Sequence, residues 1–180
     1  MDNLSFYIGE IQKFPILKAD EEVKLAQRWR DNQDQDALNL LVGSHIRLVV
    51  KIASGFRGYG MPLDDLVAAG NLGLMQGVMK FDPERGFRLS TYVMWWIRAA
   101  VQEHVLRNWS LVRATKNASR KKLFFNLRKI KARLDQIDGG DLPPEAVTQI
   151  AQELSVGESD VVDMNGHLSG SDASLNVSPG

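Results

Sequence analysis

Apolar residues recur along this chain at spacings of three and four, which is the periodicity of one face of an α-helix. The alternation of apolar and polar residues that is typical of half-buried strands is nearly absent. Clusters of glycine, proline and asparagine separate the apolar segments. The pattern therefore predicts an all-α protein, with helices at residues 5–11, 20–32, 35–56, 63–81, 90–109, 116–137, 144–154 and 158–168.

The length of 180 residues is enough for one domain, or for one domain and a small second one. The helices at 144–154 and 158–168 are joined by Ser-Val-Gly and resemble a helix-turn-helix pair, which is a weak signal on its own. Residues 169–180 are mostly Ser, Gly, Asp, Asn and Pro, a composition that predicts disorder. Because the chain stops there without another helix, we expect it to be a fragment of a longer protein.

The helix predicted at 63–81 contains three interior glycines, Gly70, Gly73 and Gly77. Each of them costs about 1 kcal/mol relative to alanine in a helix interior. A helix that carries such a penalty needs the close approach of another backbone. That backbone belongs either to a neighbouring helix of the same domain or to a large partner, and the composition favours neither explanation.

The net charge of zero hides a strong asymmetry along the chain. Residues 80–133 contain 14 basic and 3 acidic side chains, whereas residues 134–180 contain no Lys or Arg and 9 Asp or Glu. This distribution indicates a polyanion-binding middle followed by an acidic end. The alternative, a solvated basic helix face, fits less well because the same span also contains most of the aromatic residues.

Aromatic residues and arginines are interleaved between residues 81 and 109, in the sequence FDPERGFRLSTYVMWWIRAAVQEHVLRNW. Trp95 and Trp96 are adjacent, and neighbours on a helix point about 100° apart, so both can be buried only in a very wide apolar face. Ser90 or Thr91 is predicted to cap this helix. Aromatic side chains among arginines are what a surface needs to stack on unpaired bases while it holds phosphates.

Several classes of protein are excluded by composition. The absence of cysteine rules out disulfides, thiol catalysis and thiolate metal sites. The three histidines do not cluster, and no nucleophile–base pair or phosphate-binding glycine loop is found, so we expect no enzyme activity, no cofactor and no metal. No apolar run approaches the roughly 18 residues of a membrane span, and the polar, acidic N-terminus is not a signal peptide. We therefore expect a cytoplasmic protein without a membrane partner.

Four segments resemble a bacterial RNA polymerase sigma factor of the primary-type family. Residues 65–101, DLVAAGNLGLMQGVMKFDPERGFRLSTYVMWWIRAAV, resemble regions 2.2 to 2.4, whose usual pattern includes F-S-T-Y-A-x-W-W-I-R. HIRLVVKIA, at 45–53, resembles region 2.1, and FYIGEIQKFPILKADEEVKLAQRWR, at 6–30, resembles region 1.2. SRKKLFFNLRK, at 119–129, resembles a segment of the heat-shock sigma factor subfamily. The similarity extends from residue 4 to residue 168.

The resemblance divides the chain into regions 1.2 and 2 at residues 1–110, a small helical region 3 at 111–168, and the start of a linker at 169–180. The resemblance also leads us to expect that the C-terminal domain, which reads the −35 element in this family, is missing from this fragment. The implied function is transcription initiation: binding core RNA polymerase, directing it to heat-shock-type promoters, and melting the −10 element. Core RNA polymerase and promoter DNA are the implied partners, and chaperones or anti-sigma proteins are possible regulators that the sequence does not identify.

The same resemblance gives the aromatic–arginine stretch a specific role on DNA. The two tryptophans Trp95 and Trp96 are expected to form a wedge that replaces a flipped adenine at the upstream edge of the melted segment. The pocket for that adenine is expected to consist of Phe81, Arg85, Phe87 and Tyr92.

Further DNA contacts follow from the resemblance. A second flipped base is expected downstream near His45, Leu48 and Ser90, and Thr91 lies among the positions that contact the nontemplate strand. The residues expected to contact duplex DNA or backbone phosphates are Lys80, Arg88, Arg98, Gln102, Arg113 and Lys116.

Core polymerase is expected to dock on the glycine-bearing helix at 63–81. Ala68 and Ala69 stand where the family commonly has a polar-acidic pair. The resemblance therefore does not predict how tightly this interface binds polymerase. The residues that are expected to form the interface are Asp65, Leu66, Asn71, Leu74, Met75 and Gln76.

Two other interpretations of the sequence remain. The chain could be a duplex DNA-binding regulator that uses residues 143–168 as a helix-turn-helix, although the acidic character of the second helix argues against its entering a major groove. It could also be a helical scaffold with Trp95 and Trp96 in its core. In that case, replacing either tryptophan by alanine would destabilise the fold by about 3–5 kcal/mol.

Overall fold

The structure is a computed structural model, and it describes residues 7, 9–11, 13–108, 118–134 and 142–169. All regular secondary structure in these ranges is helical, which confirms the predicted all-α class. The helices are α1 (Ala19–Asn32), α2 (Gln35–Ser54), α3 (Leu63–Met79), α4 (Leu89–Asn108), α5 (Ala118–Arg133), α6 (Pro144–Leu154) and α7 (Glu158–Ser169), with 3-10 turns at Arg57–Tyr59 and Pro83–Arg85.

Helix ends that are described lie within two residues of the predicted positions. The predicted ends at 5, 109, 116 and 137 lie outside the described residues, and so do Arg113, Lys116 and residues 170–180. The chain divides into two compact units, Met1–Ser110 and Leu111–Gly180. The first unit contains α1 to α4, and the second contains α5 to α7.

The break between α1 and α2 is made by Gln33 and Asp34. Gln33 adopts a left-handed conformation, with φ of 53°, and ends α1. The Asp34 side chain accepts hydrogen bonds from the backbone N–H groups of Asp36, at 3.0 Å, and Ala37, at 3.2 Å, and so caps the start of α2. These backbone bonds and an ion pair with Arg28 lower the pKa of Asp34.

The core of the first unit lies between α3 and α4, with α2 packed against both and α1 packed against α2. Helix α4 contributes one fully buried side chain every four residues, which keeps a single apolar stripe facing its neighbours. That stripe consists of Leu89, Val93, Ile97, Val101 and Val105.

The three glycines of α3 lie at close helix–helix contacts inside this unit. A Cβ atom on Gly73 would lie 2.5 Å from the carbonyl oxygen of Trp96. A Cβ atom on Gly70 would lie 2.6 Å from Val49 Cγ1, and one on Gly77 would lie 2.9 Å from Trp96 Cδ1. Packing within the domain therefore accounts for all three glycines, which decides between the two explanations that the sequence left open.

Helix α2 is long and apolar enough to cross a membrane by length and composition alone, with a mean hydropathy of 1.3. The helix is not one uninterrupted apolar run, because Asp36, Arg47 and Lys51 lie within it, so the expectation about apolar runs is unaffected. Its Leu41, Val49 and Ala53 side chains are nearly or fully buried, and α1, α3 and α4 all pack against it. The apolar character of α2 is thus used in the core of the first unit.

The second unit is a three-helix cluster in which α5 packs against α6 and α7. Its core combines the apolar stripe of α5 with residues such as Ile150 of α6 and Val161 of α7, both fully buried. The buried residues of α5 are Leu123, Phe124, Leu127 and Ile130.

Much of the basic charge of α5 is paired with polar and acidic groups of the same unit. Arg120 forms an ion pair with Asp160 at 2.8 Å, and Arg133 pairs with Glu153. Lys131 Nζ donates to Asn165 Oδ1 at 2.7 Å. Part of the α5 charge therefore holds the acidic α6 and α7 in place, and the binding of a polyanion by the basic span stays a prediction.

Candidate nucleic-acid interface

The adjacent tryptophans of α4 occupy different environments. Trp95 is 65% exposed, and the guanidinium of Arg98 lies 5.9 Å from its ring centroid. Trp96 is half-buried. The difference follows from helix geometry, because the apolar stripe through Val93 and Ile97 faces the core and Trp95 lies away from it. A scaffold in which both tryptophans are core residues is therefore excluded.

Three aromatic rings form a continuous row beside the end of α3. The centroids of Phe81 and Tyr92 are 5.7 Å apart, and those of Tyr92 and Trp96 are 6.4 Å apart. The Tyr92 hydroxyl donates to the carbonyl oxygen of Lys80 at 3.4 Å, and Lys80 Nζ lies 4.5 Å from the centroid of Trp96. The structure thus places two of the predicted adenine-pocket residues next to one of the predicted wedge residues.

The other two predicted pocket residues lie in the short segment between α3 and α4. Phe87 is 68% exposed, and Arg85 is exposed, with its Nε 3.5 Å from Asp82 Oδ2. Between them, Gly86 adopts a left-handed conformation, with φ of 73°, that a residue with a Cβ atom rarely adopts. Phe87 and Arg85 are therefore accessible to a ligand without any rearrangement of the core.

The residues predicted to hold a second flipped base line one open cavity of about 340 Å³. His45, Leu48 and Ser90 all contribute to its wall, together with Glu22 and Arg88. Ile16, Leu17, Ser44, Arg47 and Lys51 complete the lining.

A buried carboxylate organises one wall of this cavity. Glu22 of α1 is only 3% exposed, and it accepts hydrogen bonds from Arg88 Nε at 3.0 Å and Arg88 Nη2 at 2.8 Å. Its Oε1 atom also lies 3.7 Å from His45 Nε2. Glu22 therefore links α1, α2 and the start of α4 at a single point.

Glu22 also replaces the cap that the sequence predicted for α4. The helix starts at Leu89, so Ser90 and Thr91 lie inside it and not at its cap, and the prediction of a Ser or Thr cap is wrong. The backbone N–H of Leu89 donates to Glu22 Oε2 at 3.3 Å. A carboxylate from another helix thus accepts from a backbone N–H at the start of α4. In most helices a local capping side chain accepts from such a group.

Glu22 was not among the residues predicted for this site, although a signal for it was present in the sequence. It precedes the buried Leu25 and Ala26 by three and four residues and therefore shares their face of α1. An acidic residue on the buried face of an amphipathic helix requires a partner, because an unpaired buried charge is costly. That requirement predicts a cation nearby, and the cation is Arg88.

His45 is 7% exposed, and its Nδ1 atom lies 2.9 Å from both the Leu41 carbonyl oxygen and the Ser44 hydroxyl. Its ring is thus held by α2 at one nitrogen, while Nε2 is directed toward Glu22. The histidine is a core-edge residue that also lines the cavity.

The predicted phosphate-contacting residues that the structure describes differ in their surroundings. The guanidinium of Arg88 is engaged by Glu22 and lies 3.4 Å from the Leu17 carbonyl oxygen, and Glu22 raises the pKa of Arg88. Arg88 is therefore a link between helices before any DNA binds. Lys80 and Arg98 are exposed, as is Thr91, and Gln102 is half-buried.

The predicted polymerase-docking residues fall on two faces of α3. Leu66 and Leu74 are fully buried, so the expectation that they contact a partner is corrected: they lie beneath the surface of α3 and support it. Asn71 is half-buried and donates through Nδ2 to the Tyr7 hydroxyl at 2.7 Å. Asp65, Met75 and Gln76 are exposed.

The exposed face of α3 is more apolar than the sequence analysis recognised. Leu72 is 65% exposed and Met79 is 55% exposed, and neither was predicted to be a contact. With Met75 and Gln76 they follow the spacing of one helix face, at positions i, i+3, i+4 and i+7. These four residues are called the α3 outer face below. The buried glycines on the opposite side were the signal that could have located it.

No group of three or more His, Asp or Glu residues is placed to hold a metal ion within the part of the chain that the structure describes. The arrangement offers aromatic surface, guanidinium and ammonium groups and a small, largely apolar cavity. Such a surface can stack on bases and hold phosphates.

Comparison with known proteins gives matches that include most of the residues described above. Residues 41–111 match the family model described as Sigma-70 region 2, and residues 2–35 match Sigma-70 factor, region 1.2. These two segments contain α1 to α4, the aromatic row, the cavity and the α3 outer face.

Individual relatives are longer than this chain. RNA polymerase sigma factor RpoH of Caulobacter vibrioides is 57% identical over 174 residues, which are 97% of this chain and 59% of the relative. RpoH of Zymomonas mobilis is 53% identical over 176 residues, 97% of this chain and 58% of the relative. RNA polymerase sigma-C factor of Myxococcus xanthus is 39% identical over 179 residues, 99% of this chain and 60% of the relative.

Proposed function

This chain belongs to the sigma-70 family, and from that premise we propose that it acts in transcription initiation by binding core RNA polymerase and capturing nontemplate-strand bases of the −10 element as it melts. The similarity to RpoH factors extends the proposal to promoters of the heat-shock type. A cytoplasmic location follows from this role.

The observation that carries the proposal is the arrangement of exposed and supported aromatics at one end of α4. Trp95 and Phe87 are exposed, while Phe81, Tyr92 and Trp96 form a packed row beside them. Large aromatic side chains that are exposed in a monomer often mark an interaction site. They are suited to stacking on unpaired bases, because every base has a π-face. Arg98 next to Trp95 adds a cation for the backbone.

The free energies of base capture explain why a partner is required. Extruding a paired base costs a few kcal/mol, and each base–aromatic stack returns about 1–3 kcal/mol. Capturing two bases therefore roughly balances the cost of extruding them. The remaining pairs of a transcription bubble need free energy from elsewhere, and contacts between polymerase and DNA are the source that the family membership indicates.

The α3 outer face supports the proposed contact with polymerase. Leu72, Met75 and Met79 are large apolar side chains that lie on one exposed face of α3. Such a patch on a well-packed helix is typical of a protein–protein contact. Asp65 extends the exposed side of α3 toward its N-terminus.

The cavity bounded by His45, Leu48 and Ser90 supports the proposed site of a second flipped base. Its volume of about 340 Å³ is in the range of small-molecule sites. Arg88 lies at this wall with its side chain 52% exposed, so its guanidinium can also donate to a base edge.

Binding to core polymerase tests the docking part of the proposal. We expect Leu72→Asp to weaken binding of the chain to core polymerase at least about tenfold, because a buried charge at an interface is poorly solvated. Val162→Asp is the matched control, since Val162 is an apolar residue of α7 that is 56% exposed. Equal affinities for the two variants and the parent chain would exclude the α3 outer face as the docking surface.

A further inference from the structure

We propose that Lys80 is a positioning residue for the stacking wedge: its ammonium group holds the Trp96 ring, and its backbone carbonyl holds Tyr92. The inference rests on the proposed function, because the ring that Lys80 holds is one that would stack at the edge of melted DNA. It gives Lys80 a role in preparing the protein before DNA binds, in contrast to a contact with phosphate alone.

The geometry places Lys80 between two parts of the interface. Lys80 follows the last residue of α3, with φ of −101° and ψ of 1°, which turns the chain from α3 toward Phe81. Its Nζ atom lies 4.5 Å from the Trp96 centroid, and its carbonyl oxygen accepts from the Tyr92 hydroxyl at 3.4 Å. A single residue thus contacts both the wedge and the adenine pocket.

The Trp96 ring is confined on its other sides. Gly77 lies so close that an added Cβ atom would be 2.9 Å from Trp96 Cδ1 and 3.0 Å from Cγ, and the Tyr92 ring is 6.4 Å away. The backbone of Trp96 is fixed by the close contact of its carbonyl oxygen with Gly73. Gly77 of α3 and Tyr92 lie against other sides of the ring, so we expect Lys80 to be the contact whose loss releases it.

Among the described residues, the Lys80 ammonium group has no carboxylate partner that competes with the Trp96 ring. Across the described residues, no Asp or Glu oxygen lies within 4.0 Å of Lys80 Nζ. A cation over a tryptophan face is attracted by the ring quadrupole, and tryptophan is the strongest partner for this contact. At a partly exposed site, such an attraction favours the held ring position about 2–5-fold.

The two roles of Lys80 differ in their dependence on salt. A lysine that contacts only a phosphate releases a counterion, so its removal reduces the slope of log affinity against log salt by about 1. A lysine that acts by holding Trp96 changes affinity and leaves that slope nearly unchanged. The effect of a positioning lysine should also depend on the presence of the Trp96 ring, whereas a phosphate contact acts without it.

A double-mutant cycle with fork-junction DNA tests the inference. The chain is bound to core polymerase, the DNA has a single-stranded −10 nontemplate strand, and the variants are Lys80→Gln, Trp96→Ala and their combination. We expect Lys80→Gln to weaken binding about 2–5-fold in the parent and less than about 1.5-fold in the Trp96→Ala background. Lys80→Arg should restore the affinity, since arginine retains the cation over the ring, and Lys24→Gln is the exposed-lysine control.

A measurement on the free chain separates this inference from the proposed function. With 5-fluorotryptophan incorporated, the fluorine resonance of Trp96 is assigned by its loss in Trp96→Phe. Lys80→Gln should shift this resonance more than that of Trp29, and Lys80→Arg should shift it less. A Trp96 resonance that does not respond to Lys80→Gln would overturn the inference, whether or not the parent complex binds the DNA.

The binding results can also overturn the inference while leaving the proposed function intact. If the parent complex binds the fork but Lys80→Gln weakens binding equally in both backgrounds, with a salt slope reduced by about 1, Lys80 is a phosphate contact only. If the parent complex fails to bind the fork, the proposed function fails, and the fluorine spectrum alone decides whether Lys80 holds the ring.

Discussion

The Glu22 carboxylate accepts two hydrogen bonds from the Arg88 guanidinium, at 3.0 Å and 2.8 Å, across the 66 residues that separate them in sequence. Glu22 is 3% exposed and lies in α1, whereas Arg88 immediately precedes α4. The pair therefore joins the region 1.2 segment to the helix that carries Trp95 and Trp96. The helix that carries the proposed base-stacking surface is thus held by a contact outside that surface.

Replacing this carboxylate should loosen the connection. We expect Glu22→Gln to lower the free energy of unfolding by about 1–3 kcal/mol, because the amide cannot accept both guanidinium bonds and the Leu89 N–H as a carboxylate does. Urea denaturation followed by circular dichroism measures the change. Asp20→Asn in the first turn of the same helix is the control, and it should cost no more than about 1 kcal/mol.

A loss for Glu22→Gln no larger than that of Asp20→Asn would contradict the assigned role of Glu22. The same variant should also weaken binding of the polymerase complex to fork-junction DNA, because the start of α4 forms one wall of the cavity. The effect on binding should persist without denaturant and at a temperature well below the unfolding midpoint, where the fold is intact.

The two tryptophans should respond differently to truncation. Trp95→Ala is expected to change the free energy of unfolding by less than about 0.5 kcal/mol, because the side chain is 65% exposed. Trp96→Ala is expected to cost about 1.5–3 kcal/mol, since its ring is half-buried against Gly77. Thermal and urea unfolding of both variants give the comparison.

Because Trp95→Ala is expected to leave the fold stable, it is the variant that tests DNA binding. Trp95→Ala should weaken binding of fork-junction DNA by the polymerase complex about 5–150-fold, the equivalent of one base–aromatic stack. A Trp95→Ala variant that unfolds as easily as Trp96→Ala, or that binds the fork like the parent, would contradict the assignment of Trp95 to the stacking surface.

Gly73 should be intolerant of a side chain. A Cβ atom there would lie 2.5 Å from the Trp96 carbonyl oxygen, so α3 and α4 would have to separate. We expect Gly73→Ala to destabilise the protein by about 1–3 kcal/mol, in spite of the gain of about 1 kcal/mol in helix propensity. Gly166→Ala in α7, where no atom lies within 4 Å of the added Cβ, should be neutral or stabilising. The reverse order of stabilities would show that α3 and α4 are not in close contact.

The helices and the apolar faces were predictable from the sequence because they depend on local spacing. The stripe from Leu89 to Val105 recurs every four residues, and the α6 and α7 bounds follow from Pro144, Ser155 and Gly157. Residue types at the interface were also predictable, since exposed aromatics and cations carry a recognisable chemistry.

What the sequence did not provide were contacts between residues far apart in the chain. The cap of α4 was assigned to Ser90 or Thr91 by local preference, whereas Glu22 supplies the acceptor from another helix. Leu66 and Leu74 were assigned to a docking surface through resemblance, although both are buried. Pairing and burial depend on how helices pack, and for α3 the glycine spacing was the one local sign of the face that meets α4.

The chain alone should not open a promoter. Capture of two bases roughly balances their extrusion, so no free energy remains for the other pairs of the bubble. A duplex with 2-aminopurine in the −10 element should therefore show no increase in fluorescence when the isolated chain is added at low salt. Opening by the chain without polymerase would mean that its DNA contacts are far stronger than stacking and phosphate binding allow.

The most direct test of the proposed function is the affinity of core polymerase for fork-junction DNA with and without the chain. We expect binding at least about 100-fold tighter with the chain, corresponding to about two stacking contacts. We also expect an abasic site at the position of the flipped adenine to weaken this binding about 5–150-fold. Equal binding by core polymerase alone, or no effect of the abasic site, would contradict the claim that this chain captures −10 bases.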